Sequence, residues 1–92
     1  ITVGHLAEQF LAPVAQQNGC TVTSFAKATD AAELLARLAN KDTTFLFKGS
    51  QGGIYLEEAI KPLLKNPADS QKLVRQSDAW LEKKRQFFES DH

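Results

Sequence analysis

The residues best suited to bind a ligand follow an apolar run near the middle of the chain. Residues 43–47 are rich in β-branched and aromatic side chains, and Lys48 and the glycine-rich residues 49–53 come directly after them. A strand that ends in glycines before a helix presents free backbone N–H groups, which favour an anion. Lys48 adds a positive charge, and Ser50 and Gln51 add polar side chains. We therefore predict an anion or carboxylate site at this turn.

Two other interpretations of the turn stay open. Glycines relieve backbone strain in many connections between a strand and a helix, so the turn can be purely structural. A small phosphate- or nucleotide-binding domain could also use the glycines directly. However, Lys48 precedes the glycines, whereas the lysine of a Walker A loop follows them. No acidic residue stands at a recognisable spacing for a ribose or a magnesium ion.

Composition limits the class of function. Ninety-two residues, 42% hydrophobic and 24% charged, suit one small globular domain. Eleven basic residues balance eleven acidic ones, so the chain lacks the basic character of a general nucleic-acid binder. We predict a cytoplasmic protein without membrane contact, because no apolar run approaches the ~20 residues that cross a bilayer and no signal peptide is visible. The lone Cys20 and the distant His5 and His92 predict no metal site. Ile1 is typical of a strand interior, so we expect the chain to begin inside a larger protein.

The elements that would position the turn alternate between strand and helix. β-Branched and aromatic content predicts strands at residues 1–4, 20–26 and 43–47, and apolar spacing predicts helices at 5–18, 30–39, 54–64 and 66–88. This order indicates an α/β fold with a short parallel sheet of about three strands. Because parallel strands end at one edge, Gly4 and His5 are expected beside the glycine turn. Residues 1–65 form a βαβαβα unit, and residues 66–92 form a helical extension packed on it.

Local signals mark where the helices begin and end. Pro13 is expected to kink or interrupt the first helix, because proline removes one hydrogen bond and clashes with the preceding turn. Residues 18–19, Asn-Gly, predict a left-handed stop. Asp30, with Glu33 three residues later, predicts a capping box at the start of the second helix. Pro62 is expected to distort the third helix near its end.

The last predicted helix is long and amphipathic. Asn66 is its expected cap and Pro67 its first residue. Its apolar stripe consists of Leu73, Val74, Trp80, Leu81, Phe87 and Phe88. We predict that this stripe covers the small sheet, although a protein-interaction module that uses the stripe is an alternative function. The basic residues on the other sides, among them Lys84, are interpreted as a solvated face because acidic residues intervene.

The order of these motifs resembles a known family. Residues 1–64 are similar to the last part of the C-terminal domain of Mur ligases, most of all those that add D-alanyl-D-alanine to the UDP-N-acetylmuramoyl tripeptide. The resemblance is carried by a strand ending at Val3-Gly4, an acidic-capped helix near Asp30, and Phe45-Leu46-Phe47-Lys48-Gly49-Ser50 followed by Leu56-Glu57. Residues 74–88 also resemble C-terminal extensions of some relatives.

The resemblance implies a Rossmann-like, three-layer domain of an ATP-dependent amide ligase of peptidoglycan precursor synthesis. Such a domain closes over the preceding ATP-binding and UDP-substrate domains and helps to hold the incoming amino acid or dipeptide. Lys48 would attract the carboxylate of that substrate, Gly49 would allow close backbone approach, and Ser50 and Gln51 would orient polar atoms. ATP and magnesium belong to the parent enzyme, because this chain has no P-loop. The chain alone is not expected to catalyse ligation, and no catalytic residue is assigned in it.

Overall fold

The computed structural model describes residues 1–49 and 53–90. Within them, helices and one short parallel sheet follow each other in a mixed α/β order. The elements are β1 (Thr2–Val3), a π-helical turn (Ala7–Leu11), α1 (Ala12–Gln17), β2 (Ser24–Phe25), α2 (Ala28–Leu38), α3 (Glu57–Ile60), two 3-10 helices (Lys61–Leu63 and Pro67–Lys72) and α4 (Asp78–Glu89). The mixed architecture agrees with the predicted fold class, but the sheet is smaller than expected.

The sheet consists of β1 and β2 in parallel. Thr2 lies opposite Ser24 and Val3 lies opposite Phe25. The amide of Gly4 donates to the carbonyl of Phe25 at 2.8 Å, and the hydroxyls of Thr2 and Ser24 share a hydrogen bond of 2.7 Å. The parallel pairing of the first two predicted strands is therefore confirmed, although only two residues of each form the ladder.

The predicted third strand is not confirmed. Residues 43–47 are neither helix nor strand, and the sheet contains β1 and β2 alone within the described part of the chain. Phe45 and Phe47 pack against the core while Leu46 is 92% exposed, so the inside-outside alternation of a strand persists without pairing. The start of the segment is tied to the end of α2, because Thr43 donates from its amide and its hydroxyl to carbonyls there. A segment whose side chains alternate between core and solvent still needs a neighbouring strand for its backbone hydrogen bonds before it joins a sheet.

The first helical segment is interrupted as its proline predicts. A π-helical turn, Ala7–Leu11, runs directly into α1, whose second residue is Pro13. A π turn is a common way to accommodate a missing helical hydrogen bond. The segment ends at Gly19, whose φ is +90°, and the amide of Cys20 donates to the carbonyl of Ala15 at 3.0 Å. The left-handed stop is therefore confirmed.

The buried core lies between α2 and α3. Its fully buried members are Ala28, Ala31, Leu35 and Ala59. The second helix was predicted correctly, but its start was not: α2 begins at Ala28, and Asp30 lies in its first turn instead of capping it. Asp30 still lies where the helix dipole favours a negative charge.

The end of the chain differs most from the prediction. Pro62 does distort the third helix, because α3 passes into a 3-10 turn there. The side chain of Asn66 accepts a hydrogen bond from Ala68 at 3.1 Å, which confirms the predicted cap. The prediction of a single long helix over residues 66–88 is wrong. A break with Arg75 at φ +56° separates the second 3-10 helix from α4, which Ser77 caps. Since a serine at the cap offers the backbone a local hydrogen bond, the chain restarts a helix there.

Candidate functional site

A cavity of about 640 Å³ adjoins β1. Residues 1–7 and residues 45–49 line it, together with the core side chains Ala31, Leu35 and Ala59. A volume of 300 to 1,000 Å³ is typical of small-molecule sites. The cavity is therefore a candidate ligand site at the carboxyl end of the first strand, where open α/β sheets bind ligands.

Four of the six predicted site residues line this one cavity. They are Gly4, His5, Lys48 and Gly49, and they come from two segments that are more than 40 residues apart. Ser50 and Gln51 lie outside the described residues. Lys48 is exposed and forms no hydrogen bond or ion pair with any described residue. Its ammonium group is thus available to a ligand, which is a condition for the role predicted for it.

The two glycines lie close against apolar side chains of the cavity walls. Gly4 has φ +95°, and a Cβ there would lie 2.7 Å from Cδ1 of Ile54. A Cβ at Gly49 would lie 2.9 Å from Cδ1 of Leu56. Side chains at either position would push these apolar walls away. The amide of Gly4 donates to the carbonyl of Phe25 in β2, so it is not available to a ligand.

The cavity is apolar with one positive charge. Among the described residues that line it there is no Asp or Glu, and Lys48 is the lysine. Because the amides of Thr2 and Gly4 point to β2, strand geometry directs the N–H and C=O of Val3 to the other edge of β1. The arrangement can hold a carboxylate at Lys48, a peptide group at Val3 and an apolar group on the core side chains. Among the lining residues that the structure describes, no nucleophilic side chain is hydrogen-bonded to a base.

The described lining of the cavity does not fit magnesium, because magnesium prefers carboxylate and water oxygens and none of these described residues is an Asp or Glu. Across residues 1–49 and 53–90, no three or more His, Cys, Asp and Glu side chains are grouped closely enough to hold a metal ion. Within the same ranges, no helix has the length and apolar character needed to cross a membrane.

A buried ion cluster that the sequence did not reveal joins α3 to α4. Arg75 donates to both oxygens of Glu57, from Nε at 2.7 Å and from Nη2 at 2.9 Å. Lys84 Nζ lies 3.1 Å from Glu57 Oε1 and 3.0 Å from Glu58 Oε2. Lys61 pairs with Glu58 at 2.9 Å. We call these five residues the ion cluster.

The ion cluster sets the ionisation of its two carboxyl groups. Burial raises the pKa of Glu57, but hydrogen bonds from Arg75 and Lys84 more than reverse this and lower the pKa to about 2. Burial also raises the pKa of Glu58, and hydrogen bonds from Lys61 and Lys84 again outweigh it, so that pKa is lowered as well. Both carboxyl groups are therefore charged at neutral pH, as their cations require.

Aromatic side chains surround the ion cluster on one side. The Tyr55 ring meets Phe87 edge to face, with centroids 5.3 Å apart, and meets Trp80 and Phe88 at 6.4 Å. Lys84 Nζ lies 5.8 Å from the centroid of the Tyr55 ring. Tyr55 is left-handed, with φ +58°. The aromatic part of the predicted stripe thus does pack on the domain, through a tyrosine that the sequence had not singled out.

Lys84 is 2% exposed, so its interpretation as part of a solvated face is wrong. The sequence did contain a pattern that indicates this burial, because Trp80, Lys84 and Phe88 follow each other at intervals of four and share one helix face. A single cation within an apolar face indicates a buried ion pair. A further cation, Lys27, donates to the carbonyls of Phe88 at 3.0 Å and Ser90 at 2.8 Å, which fastens the end of α4 to the start of α2.

Comparison with protein-family models, with curated proteins and with solved structures gives no match for this chain.

Proposed function

We propose that this chain is part of the C-terminal, substrate-closing domain of a Mur-type amide ligase and helps to hold the incoming amino acid or dipeptide. The observation that supports this best is the cavity itself. It brings Gly4, His5, Lys48 and Gly49 together beside β1 and contains one unpaired cation and no described carboxylate. In this proposal the domain is Rossmann-like, and residues 43–47 take the place of its third strand.

The residues of the chain would bind and orient, not react. Lys48 would attract the carboxylate of the amine substrate, because its ammonium group has no partner among the described residues and lies at the cavity. The free N–H and C=O of Val3 would pair with the peptide group of a dipeptide in the manner of an added strand. The apolar walls would exclude water from the substrate amine. ATP, magnesium and the acyl-phosphate chemistry would come from the preceding domains of the parent enzyme.

Substitution of Lys48 tests this function. We expect Lys48→Ala to weaken binding of D-alanyl-D-alanine and single amino acids about tenfold, because a charge-assisted contact contributes about 1.5 to 3 kcal/mol. Backbone amide shifts in a titration would measure the affinity. Lys41→Ala is the control, since Lys41 is exposed and does not line the cavity. Equal binding by the wild type and Lys48→Ala would refute the role of Lys48.

A protein-interaction module is a second candidate, supported by a different surface from the one predicted. Part of the predicted stripe packs on the domain, because Phe88 contacts the core and the rings of Trp80 and Phe87 contact Tyr55. By contrast, Leu6, Phe10 and Val14 on the first helical segment are 61%, 65% and 55% exposed. Apolar side chains grouped in this way mark interaction sites. Sedimentation of the chain with and without Phe10→Gln would test self-association, and a monomer in both cases would remove this evidence.

A further inference from the structure

The cavity walls have a property that the proposed function does not require. A carboxylate and a peptide group need only the cation at Lys48 and the edge of β1. Apart from His5, the other described side chains beyond β1 are apolar, and the lining reaches the buried core side chains Ala31, Leu35 and Ala59. A cavity of about 640 Å³ equals the liquid volume of roughly 20 water molecules. This is far more apolar room than the methyl groups of an alanyl dipeptide would fill.

Water is poorly held against such walls. Most lining side chains offer no hydrogen-bonding atom, and the hydroxyl of Thr2, which does, already bonds to Ser24 at 2.7 Å. A water with few polar partners is displaced favourably by an apolar group. Occupation of the cavity by an apolar side chain would therefore add affinity that an alanine methyl group cannot supply.

From this we infer that the amine substrate is an amino acid or dipeptide with a free carboxylate and an apolar side chain of leucine or phenylalanine size. This substrate class rests on the proposed function, since it assumes that the cavity holds the amine substrate. The charge fits one end of such a ligand, because Lys48 is unpaired and no Asp or Glu is found among the described lining residues. The apolar walls fit the apolar side chain of such a ligand.

A matched ligand series tests the inference on the 92-residue chain. The ligands are alanyl-alanine, alanyl-leucine, alanyl-asparagine and the carboxamide of alanyl-leucine, each in both chiralities. Asparagine has nearly the size of leucine but is polar, and the carboxamide lacks only the charge. The amide shift of Gly49, which lines the cavity, reports binding. Since each buried methylene adds about fourfold in affinity, we expect alanyl-leucine to bind at least tenfold more tightly than alanyl-alanine.

A pair of variants locates the effect in the cavity. Leu11 and Phe10 belong to the same π-helical turn and are 57% and 65% exposed, but Leu11 lines the cavity and Phe10 does not. Leu11→Gln should reduce the preference for leucine over alanine about threefold or more, and Phe10→Gln should leave it unchanged. Circular dichroism checks that both variants fold. If Leu11→Gln does not fold, the ligand series on the wild type decides alone.

The possible outcomes of these experiments distinguish a failure of the inferred substrate class from a failure of the proposed function. Tight binding of alanyl-leucine, lost in the carboxamide and in Lys48→Gln, supports both. Equal binding of alanyl-alanine and alanyl-leucine, still dependent on Lys48, overturns the apolar substrate class and leaves the proposed function standing. No binding of any acid that depends on Lys48 overturns the proposed function and the inference with it. Tighter binding of alanyl-asparagine than of alanyl-leucine also overturns the inference.

Discussion

Removal of the central cation of the ion cluster should strongly destabilise the protein. Lys84 is 2% exposed and contacts the carboxylates of Glu57 and Glu58 at 3.1 and 3.0 Å. Lys84→Met keeps most of the side-chain volume but leaves the buried carboxylate of Glu57 and the partly buried one of Glu58 each short of a partner. Loss of one member of a buried ion pair costs about 3 to 5 kcal/mol. Because Arg75 still pairs with Glu57, we expect the lower end, about 3 kcal/mol.

The structure also predicts how this loss depends on pH. The pKa of Glu57 is lowered from 4.5 to about 2, which corresponds to about 3 kcal/mol of stability at neutral pH. A carboxyl group with a lowered pKa stabilises the fold above its unfolded pKa, and this contribution disappears as the pH falls from about 4.5 to 2. In Lys84→Met the pKa values of Glu57 and Glu58 should rise toward the ordinary range. The acid-induced loss of stability should therefore become smaller than in the wild type.

Urea unfolding followed by far-UV circular dichroism at pH 7, 5, 4 and 3 measures both effects. Lys83→Met is the control on the same helix, because Lys83 is exposed and its ammonium group makes a cation–π contact with Trp80 at 5.0 Å. Such an exposed contact is worth about 0.5 to 1 kcal/mol. If Lys84→Met loses no more stability than Lys83→Met, and its acid dependence matches the wild type, the ion cluster does not stabilise the fold as described.

Two further predictions concern backbone geometry and helix capping. Gly4→Ala should destabilise the protein by more than Gly19→Ala, because both have φ near +90° but only Gly4 has a side-chain atom, of Ile54, within 3 Å of the added Cβ; thermal unfolding should give about 1 kcal/mol for Gly19→Ala and at least twice that for Gly4→Ala. Ser77→Ala should cost about 1 kcal/mol, since Ser77 accepts a hydrogen bond from the amide of Trp80. Equal losses in the first pair, or no loss in the second, would contradict these geometries.

The features that the sequence predicted correctly depend on neighbours along the chain. Pro13 interrupts the first helix, Pro62 distorts the third and Asn66 caps a new turn, because each acts on backbone atoms within a few residues. The parallel pairing of β1 and β2 was also predicted, since a crossover helix between two short strands leaves few alternatives.

The features that the sequence missed depend on distant partners. Residues 43–47 have the composition of a strand, but whether they pair is decided by the distance to β1. Lys84 looked like a surface lysine because its partners, Glu57 and Glu58, are 27 and 26 residues away in sequence. The predicted chain order did place Lys48 near Gly4, and the structure has both residues in the lining of one cavity. The size and apolar character of that cavity follow from packing that no local pattern encodes.

The bonds from Lys27 to the end of α4 have a consequence for biosynthesis. They join residues 61 and 63 positions apart. At 5 to 20 residues per second, a ribosome adds that length of chain in roughly 3 to 12 seconds. The last core residue, Ala59, precedes Phe88 by 29 positions, so for roughly 1.5 to 6 seconds of this interval the whole core has been synthesised while Phe88, which packs against it, has not. The growing chain therefore passes through a period with an uncovered apolar surface, in which a chaperone or another nascent chain can reach it.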